Sequence, residues 1–258
     1  MTTKDLLTIG VNQKSFPQYL FKYRADSQNT ERIITNNEMW FSSPLDFNDP
    51  FDCNTPISTN TPLNDIKDWL QKVGVNQQID YWANILKTNP NIIKESTEKV
   101  LNQTGICCFS TLFDSILMWS HYSDYHKGIV LKFDILEDPD FFQIPVIVSY
   151  KKIMQHYNHI ISPDKILEYL IRPKYSEWSY ESEVRVLKPE TAMKANNNNR
   201  IFTYKDTALK EIIFGFKTPQ DVIDKYKDLC AKNNKTGVQF SKMELGQGTH
   251  YELIKTKL

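Results

Sequence analysis

Residues 178–186 read WSYESEVRV. Trp178, Tyr180, Ser182, Val184 and Val186 alternate with Ser179, Glu181, Glu183 and Arg185. Because successive side chains of a β-strand point to opposite faces, the spacing predicts a strand with one mostly apolar face and one charged face. Glu181, Glu183 and Arg185 would then follow one another at about 6.5–7 Å along that face. Two readings of it stand open. It is a solvated face whose Glu–Arg pair contributes under about 1 kcal/mol, or it brings two carboxylates within reach of one reacting carbon, one to stabilise positive charge and one to handle a proton.

Around this stretch the chain alternates strand and helix signals. Residues 17–24, PQYLFKYR, read as a first strand after a polar tail. NTERIITNN (29–37) reads as a short helix capped by Asn29 or Thr30, and MWFSS (39–43) as a strand stopped by Pro44. From about 60 to 103 the apolar spacing turns helical, with a break expected at Pro90. GICCFS, GIVLKFD and VIVSYK read as strands, DSILMWSHYSD as a helix, and residues 163–171 as another helix. KANNNNR (194–200) reads as a surface loop. ALKEIIFGF is a strand leading to a helix capped by Thr218, with Pro219 in its first turn, and the last two strands pair antiparallel. The expectation is a single α+β domain over residues 1–258, with a helical insertion at about 60–103.

Composition narrows the function. Thirty-one basic and 31 acidic residues cancel, which argues against a protein that coats nucleic acid but leaves room for a local basic groove. The four cysteines show neither zinc spacing nor a disulfide framework, the N-terminus lacks a signal-peptide pattern, and no apolar run is long enough for a membrane helix. A cytoplasmic protein with no membrane partner is expected. With only eight glycines and neither GxGxxG nor GxxxxGK[ST], any nucleotide must be held largely by side chains.

Other residues carry chemistry with competing readings. Arg24 suits either a salt bridge or a phosphate grip. Ser42 and Ser43 suit a turn or a site. Asn48, Asp49 and Asp52 suit Asx-type turns around Pro50 or metal ligation. Met118, Trp119 and Tyr122 form an apolar helix face beside His121, which reads as a surface histidine or, with an orienting partner, a base.

Taken together, LFKYR, NNEMWFSSPLDFNDPFD, CCFS…LMWSHYSDYHKGIVLKFD, PKYSEWSYESEVRV and LKEIIFG resemble the bacterial domain of unknown function 2971, over roughly residues 20–216. A second resemblance carries chemistry. Arg on a first strand, serines on a second and E-x-E on a later one are similar to the R-S-E class of ADP-ribosyltransferases, although the serine stretch here is F-S-S-P where that class has S-T-S.

That second resemblance implies a mixed, largely antiparallel split sheet that binds NAD as substrate without metal. Glu183 would hold the ribose and stabilise an oxocarbenium-like state. Glu181 would orient or deprotonate an acceptor, whether protein, nucleic acid or water. Arg24 would hold the diphosphate, Ser42 or Ser43 would position Glu183 or the ribose, and Tyr23 and Trp40 would stack on the bases. Arg185 is an extra cation on the glutamate face. By analogy, such an enzyme would serve as a toxin or phage-defence effector. The rivals are a magnesium-dependent nuclease built on Asp49, Asp52, Glu181, Glu183 and His121, and a non-catalytic ligand-binding or sensor module.

Overall fold

A computed structural model describes residues 1–58, 60–89 and 91–258. Its elements run α1 (Thr3–Asn12), β1 (Tyr19–Arg24), α2 (Gln28–Thr35), β2 (Glu38–Trp40), α3 (Leu63–Lys72), α4 (Ile79–Thr88), α5 (Asn91–Asn102), β3 (Gly105–Ser110), α6 (Ile116–Tyr122), β4 (Ile129–Asp134), α7 (Pro139–Phe142), β5 (Val146–Ile147) and β6 (Ser149–Lys151). They continue with β7 (Pro173–Tyr175), β8 (Glu183–Lys188), α8 (Glu190–Ala195), β9 (Ile201–Thr203), β10 (Leu209–Phe214), α9 (Gln220–Lys232), β11 (Gln239–Leu245) and β12 (Leu253–Lys257).

The α+β expectation holds, and the sheet is open and mostly antiparallel. Eight strands lie in the order β12-β11-β10-β4-β1-β3-β8-β5, with β10–β11 the parallel pair. The expected split is not complete, because the hydrogen-bonded order is continuous. It is, however, held across the β1–β3 seam by one paired position, Phe21 opposite Ser110. β1 pairs with β4 along all of its length, and β3 with β8 along all of its own. Beyond Phe21 the free edge of β3 is taken at Ile106 by the backbone of Ser42. The strands therefore diverge into a wedge.

Both faces of the sheet are covered. Leu7, Ile33, Ile34, Ile223 and Tyr226 from α1, α2 and α9 bury one face with Leu20, Leu131, Phe133, Val184, Val186 and Phe214. Tyr23, Val130 and Ile213 face the other way and pack against Met118 and Trp119 of α6. At about 25 cal/mol per Å² of apolar surface, these two layers dominate the stability. The helical insertion keeps a small cluster of its own, Ile66, Leu70 and Ala83 with Ile160. Its expected break, Pro90, lies outside the described residues.

Several local readings are corrected. The first residues form α1, not a polar tail. Thr2 and Asp5 close a reciprocal capping box, and Leu7 is buried. Ser27, not Asn29 or Thr30, caps α2. Pro219 takes the cap position of α9, while the Thr218 hydroxyl donates to the Gly128 carbonyl. Residues 146–151 divide between β5, on the edge of β8, and β6, which pairs with β7. The helix expected over 163–171 is a 3-10 turn (Pro163–Lys165) followed by a π-helix (Leu167–Ile171).

The largest correction falls on WSYESEVRV. Ser176–Glu181 is a 3-10 helix, Ser182 is left-handed with φ 43°, and the strand starts at Glu183. Side-chain alternation is therefore real for residues 183–188 and accidental before them. The kink is held by β3: the Ser110 hydroxyl donates to the Glu181 carbonyl at 2.7 Å, and the Thr111 amide donates to the Ser182 carbonyl at 3.0 Å. These contacts offset the cost of an L residue in the left-handed region.

Candidate functional site: a buried ion cluster at an open seam

The charged face of β8 is not solvated. Arg185 has no exposed surface and Glu183 is 4% exposed. Arg185 Nε donates to Glu183 Oε1 at 2.8 Å, Nη1 to the Ile171 carbonyl at 2.7 Å, and Nη2 to both Asp52 oxygens at 2.8 and 2.6 Å. A second cation completes the cluster. Lys174, pointing inward from β7, donates to Glu181 Oε2 at 2.5 Å and Glu183 Oε2 at 2.9 Å, and lies 3.5 Å from Asp52. Tyr122 donates to the other oxygen of Glu181 at 2.5 Å, and the Glu183 amide donates to the Tyr150 hydroxyl. Because of the Ser182 kink, Glu181 and Glu183 meet through Lys174 rather than by sharing a strand face.

The two carboxyls sit in opposed environments. Burial dominates at Glu181 and raises its pKa, with Lys174 and Tyr122 only partly offsetting it. Burial pushes Glu183 the same way, but Arg185 and Lys174 outweigh it and hold Glu183 at about 2. Carboxylates driven apart in this manner divide into a group that stays ionised and a group able to carry a proton.

This arrangement has a consequence for acid stability. Glu183 ordinarily titrates near 4.5 and does so near 2 when folded, so it contributes stability above the first value and loses it as pH falls through the second. The unfolding free energy from urea titrations is expected to drop between about pH 5 and pH 2, by up to about 3 kcal/mol from this group. Glu183→Gln should flatten that limb; an unchanged limb in the variant would contradict the assignment.

Two cavities open along the β1–β3 wedge, with Lys22, Arg24 and Cys108 in the walls of both. The smaller, about 190 Å³, is lined by Tyr23, Asn48, Asp52, Ser110, Tyr122, Lys174, Glu181 and Glu183. The larger, about 610 Å³, is lined by Trp40, Ser42, Arg32 and Asn29. The larger one alone is in the usual range for small-molecule sites, about 300–1,000 Å³. Lys22 braces the seam by donating to the Cys108 carbonyl at 2.7 Å. Arg24 ends β1, where Gly128 is so close that a side chain there would meet the Arg24 carbonyl at 2.2 Å. Among the described residues the Arg24 Nε is buried and has no acceptor. Such an orphaned charged donor is costly unless a ligand answers it.

The expected site residues divide accordingly. Arg24, Tyr23, Asn48, Glu181 and Glu183 line the smaller cavity, and Trp40 and Ser42 the larger. Tyr23 is nonetheless a core residue, edge-on to Trp119 with its hydroxyl on the Leu112 carbonyl. Ser43 faces away, donating to Asn102 and capping the 3-10 turn Pro44–Asp46. Asp49 closes an Asx-type turn on the Phe51 amide. His121 is exposed beside Tyr180 and outside both cavities. Arg185 has claimed Glu183 without removing it from the cavity wall. Among the described residues no group of three or more His, Cys, Asp and Glu is arranged to hold a metal ion. Three carboxylates of the expected metal set, Asp52, Glu181 and Glu183, surround Lys174 instead.

Four participants escaped the sequence reading: Lys174, Tyr150, Tyr122 in its polar role, and Ser110. Ser110 lies directly opposite Glu183 in the β3–β8 register, inside Phe-Ser-Thr at 109–111. Its hydroxyl holds the E-x-E segment through the Glu181 carbonyl, and Ser-Thr was the available signal. Lys174 carried no signal, because its burial depends on the β6–β7 pairing.

The site thus defines an α+β protein with a ligand-sized seam in an open sheet and a buried carboxylate pair beside it. Over residues 118–186 the chain matches the model of a family described as Protein of unknown function (DUF2971), so the resemblance to that family holds over this span. The span contains Tyr122, Lys174, Glu181, Glu183 and Arg185, and leaves Arg24 outside. No curated protein and no solved structure matches the chain. Among the described residues, no helix is long and apolar enough to cross a membrane.

Proposed function

We propose that the chain cleaves NAD at the nicotinamide–ribose bond and passes ADP-ribose to an acceptor or to water. The observation that carries this reading is the orphaned Arg24 donor in the same cavity wall as a carboxylate pair of opposed acidity. Arg24 grips the diphosphate, where an anion would answer its buried N–H. Glu183, held ionised, stabilises the positive charge that develops on the ribose as nicotinamide leaves. Glu181 takes the proton of the attacking group. Ser110, rather than Ser42 or Ser43, fixes the E-x-E segment, and Trp40, 55% exposed at the larger cavity, offers a face to a base. An R-S-E order is thereby retained with a corrected serine. Depletion of NAD would suit a toxin or phage-defence effector.

The test is release of nicotinamide from NAD, with candidate acceptors and with cell lysate. An inert wild type under all these conditions would end the proposal. Arg24→Ala should raise KM about 10- to 100-fold, the cost of a charged hydrogen bond, without lowering the urea midpoint, because among the described residues the buried Arg24 Nε has no acceptor to lose. Arg24→Lys should be intermediate, lacking the planar fork. A second reading, a non-catalytic sensor, is favoured by the saturation of Glu183 by Arg185 and Lys174. Saturable NAD binding without turnover would select it.

A further inference from the structure

A third cavity, about 240 Å³, lies next to the ion cluster with Lys174 in its wall, and none of the roles above uses it. Phe51, Ile153 and Tyr175 contribute its apolar surface and are 60%, 81% and 46% exposed. Lys151 and Lys152, both exposed, stand on its rim, and no Asp or Glu lines it among the described residues. Exposed apolar side chains gathered round one cavity with a polar rim mark an interaction site, and here the rim carries lysines on a chain of zero net charge.

We propose that this cavity binds a single-stranded nucleic acid, with bases against Phe51 and Tyr175 and phosphates on Lys151 and Lys152. Aromatic platforms beside a cationic rim form the sequence-tolerant means of holding unpaired strands, since every base has a π-face. An acidic peptide would also satisfy the lysines, but it would leave the two rings without a stacking partner. The patch is local, which agrees with a protein that does not coat nucleic acid. Its position assigns the acceptor class. Lys174 lines both this cavity and the one holding Glu181 and Glu183, so a bound strand lies at the edge of the carboxylate pair. In that step, which rests on the NAD reading, a hydroxyl or amine of the strand bonds to the ribose C1′. The C1′–nitrogen bond breaks, neutral nicotinamide leaves with the bonding electrons, and the acceptor proton passes to Glu181.

Binding itself is tested without NAD, by fluorescence anisotropy of the full chain with a short labelled oligothymidylate across a salt series. Saturable binding is expected. Lys151→Ala/Lys152→Ala should reduce the log–log salt slope by about 1.4, at roughly 0.7 per phosphate contact on a single strand. Phe51→Ala/Tyr175→Ala should weaken binding about ten-fold or more while keeping the slope. All four positions are on the surface, and unchanged urea midpoints verify folding. Absence of saturable binding, or binding that neither double variant alters, overturns the proposal. So does a labelled polyglutamate peptide that binds as tightly with the same dependence on both variants. Nicotinamide release without oligonucleotide binding overturns this inference alone, and oligonucleotide binding with inert NAD overturns only the catalytic reading.

Discussion

Arg185→Leu is expected to destabilise the protein by about 3–5 kcal/mol, the cost of removing one partner from a buried ion pair. The reason is arithmetic of charge in a dry place. Asp52, Glu181 and Glu183 are answered by Arg185 and Lys174, and every one of these side chains is buried. Without Arg185, three carboxylates share one ammonium, and the Ile171 carbonyl loses its donor. Against a total stability of about 5–15 kcal/mol, this is a large fraction. The loss should be greatest near neutral pH and shrink as acid protonates the stranded carboxylates. Arg185→Lys, which keeps the charge but not the fork, should recover part of it. Urea unfolding at several pH values checks this, and a Leu variant within about 1 kcal/mol of wild type at neutral pH would show that the cluster is not needed for folding.

The same cluster shows how far the sequence could be read. GICCFS and GIVLKFD are strands as their patterns require, because continuous apolar or alternating runs bounded by polar turns leave little else. The Glu183–Arg185 face was legible as charged but not as buried. Its cover comes from Asp52 and Cys53 in one loop and Ile171 near another, which touch Arg185 through contacts of more than a hundred residues in the first case. Lys174, seven residues before Glu181, looked like any exposed lysine, and only the parallel β6–β7 pair turns it inward. The alternation in residues 178–182 was misleading, since a 3-10 turn that spreads aromatic and polar side chains can imitate period two over so short a span. By contrast, the wedge at β1–β3 has a local cause that sequence does not display: one strand edge passes from Phe21 to the backbone of Ser42.

Glu183→Gln and Glu181→Gln should each slow nicotinamide release, and they should do so with different pH signatures. Glu183 is ionised throughout the working range, so its contribution is a fixed negative charge beside the ribose. Removing it should lower kcat about 10²–10³-fold at every pH, as for other preorganised electrostatic groups. Glu181 has its pKa raised, so it crosses between protonated and ionised states above the ordinary glutamate value. As the base, it must be ionised, and the wild-type rate should rise with pH through a limb displaced upward from that value. Glu181→Gln should lower the rate about 10²–10⁴-fold and abolish this limb, whereas Glu183→Gln should retain it. Lys174→Met, which leaves the two carboxylates facing each other without their shared cation, should move the limb to still higher pH. A limb that survives in Glu181→Gln would assign the proton to another group, and wild-type rates in both glutamine variants would place the chemistry elsewhere in the seam.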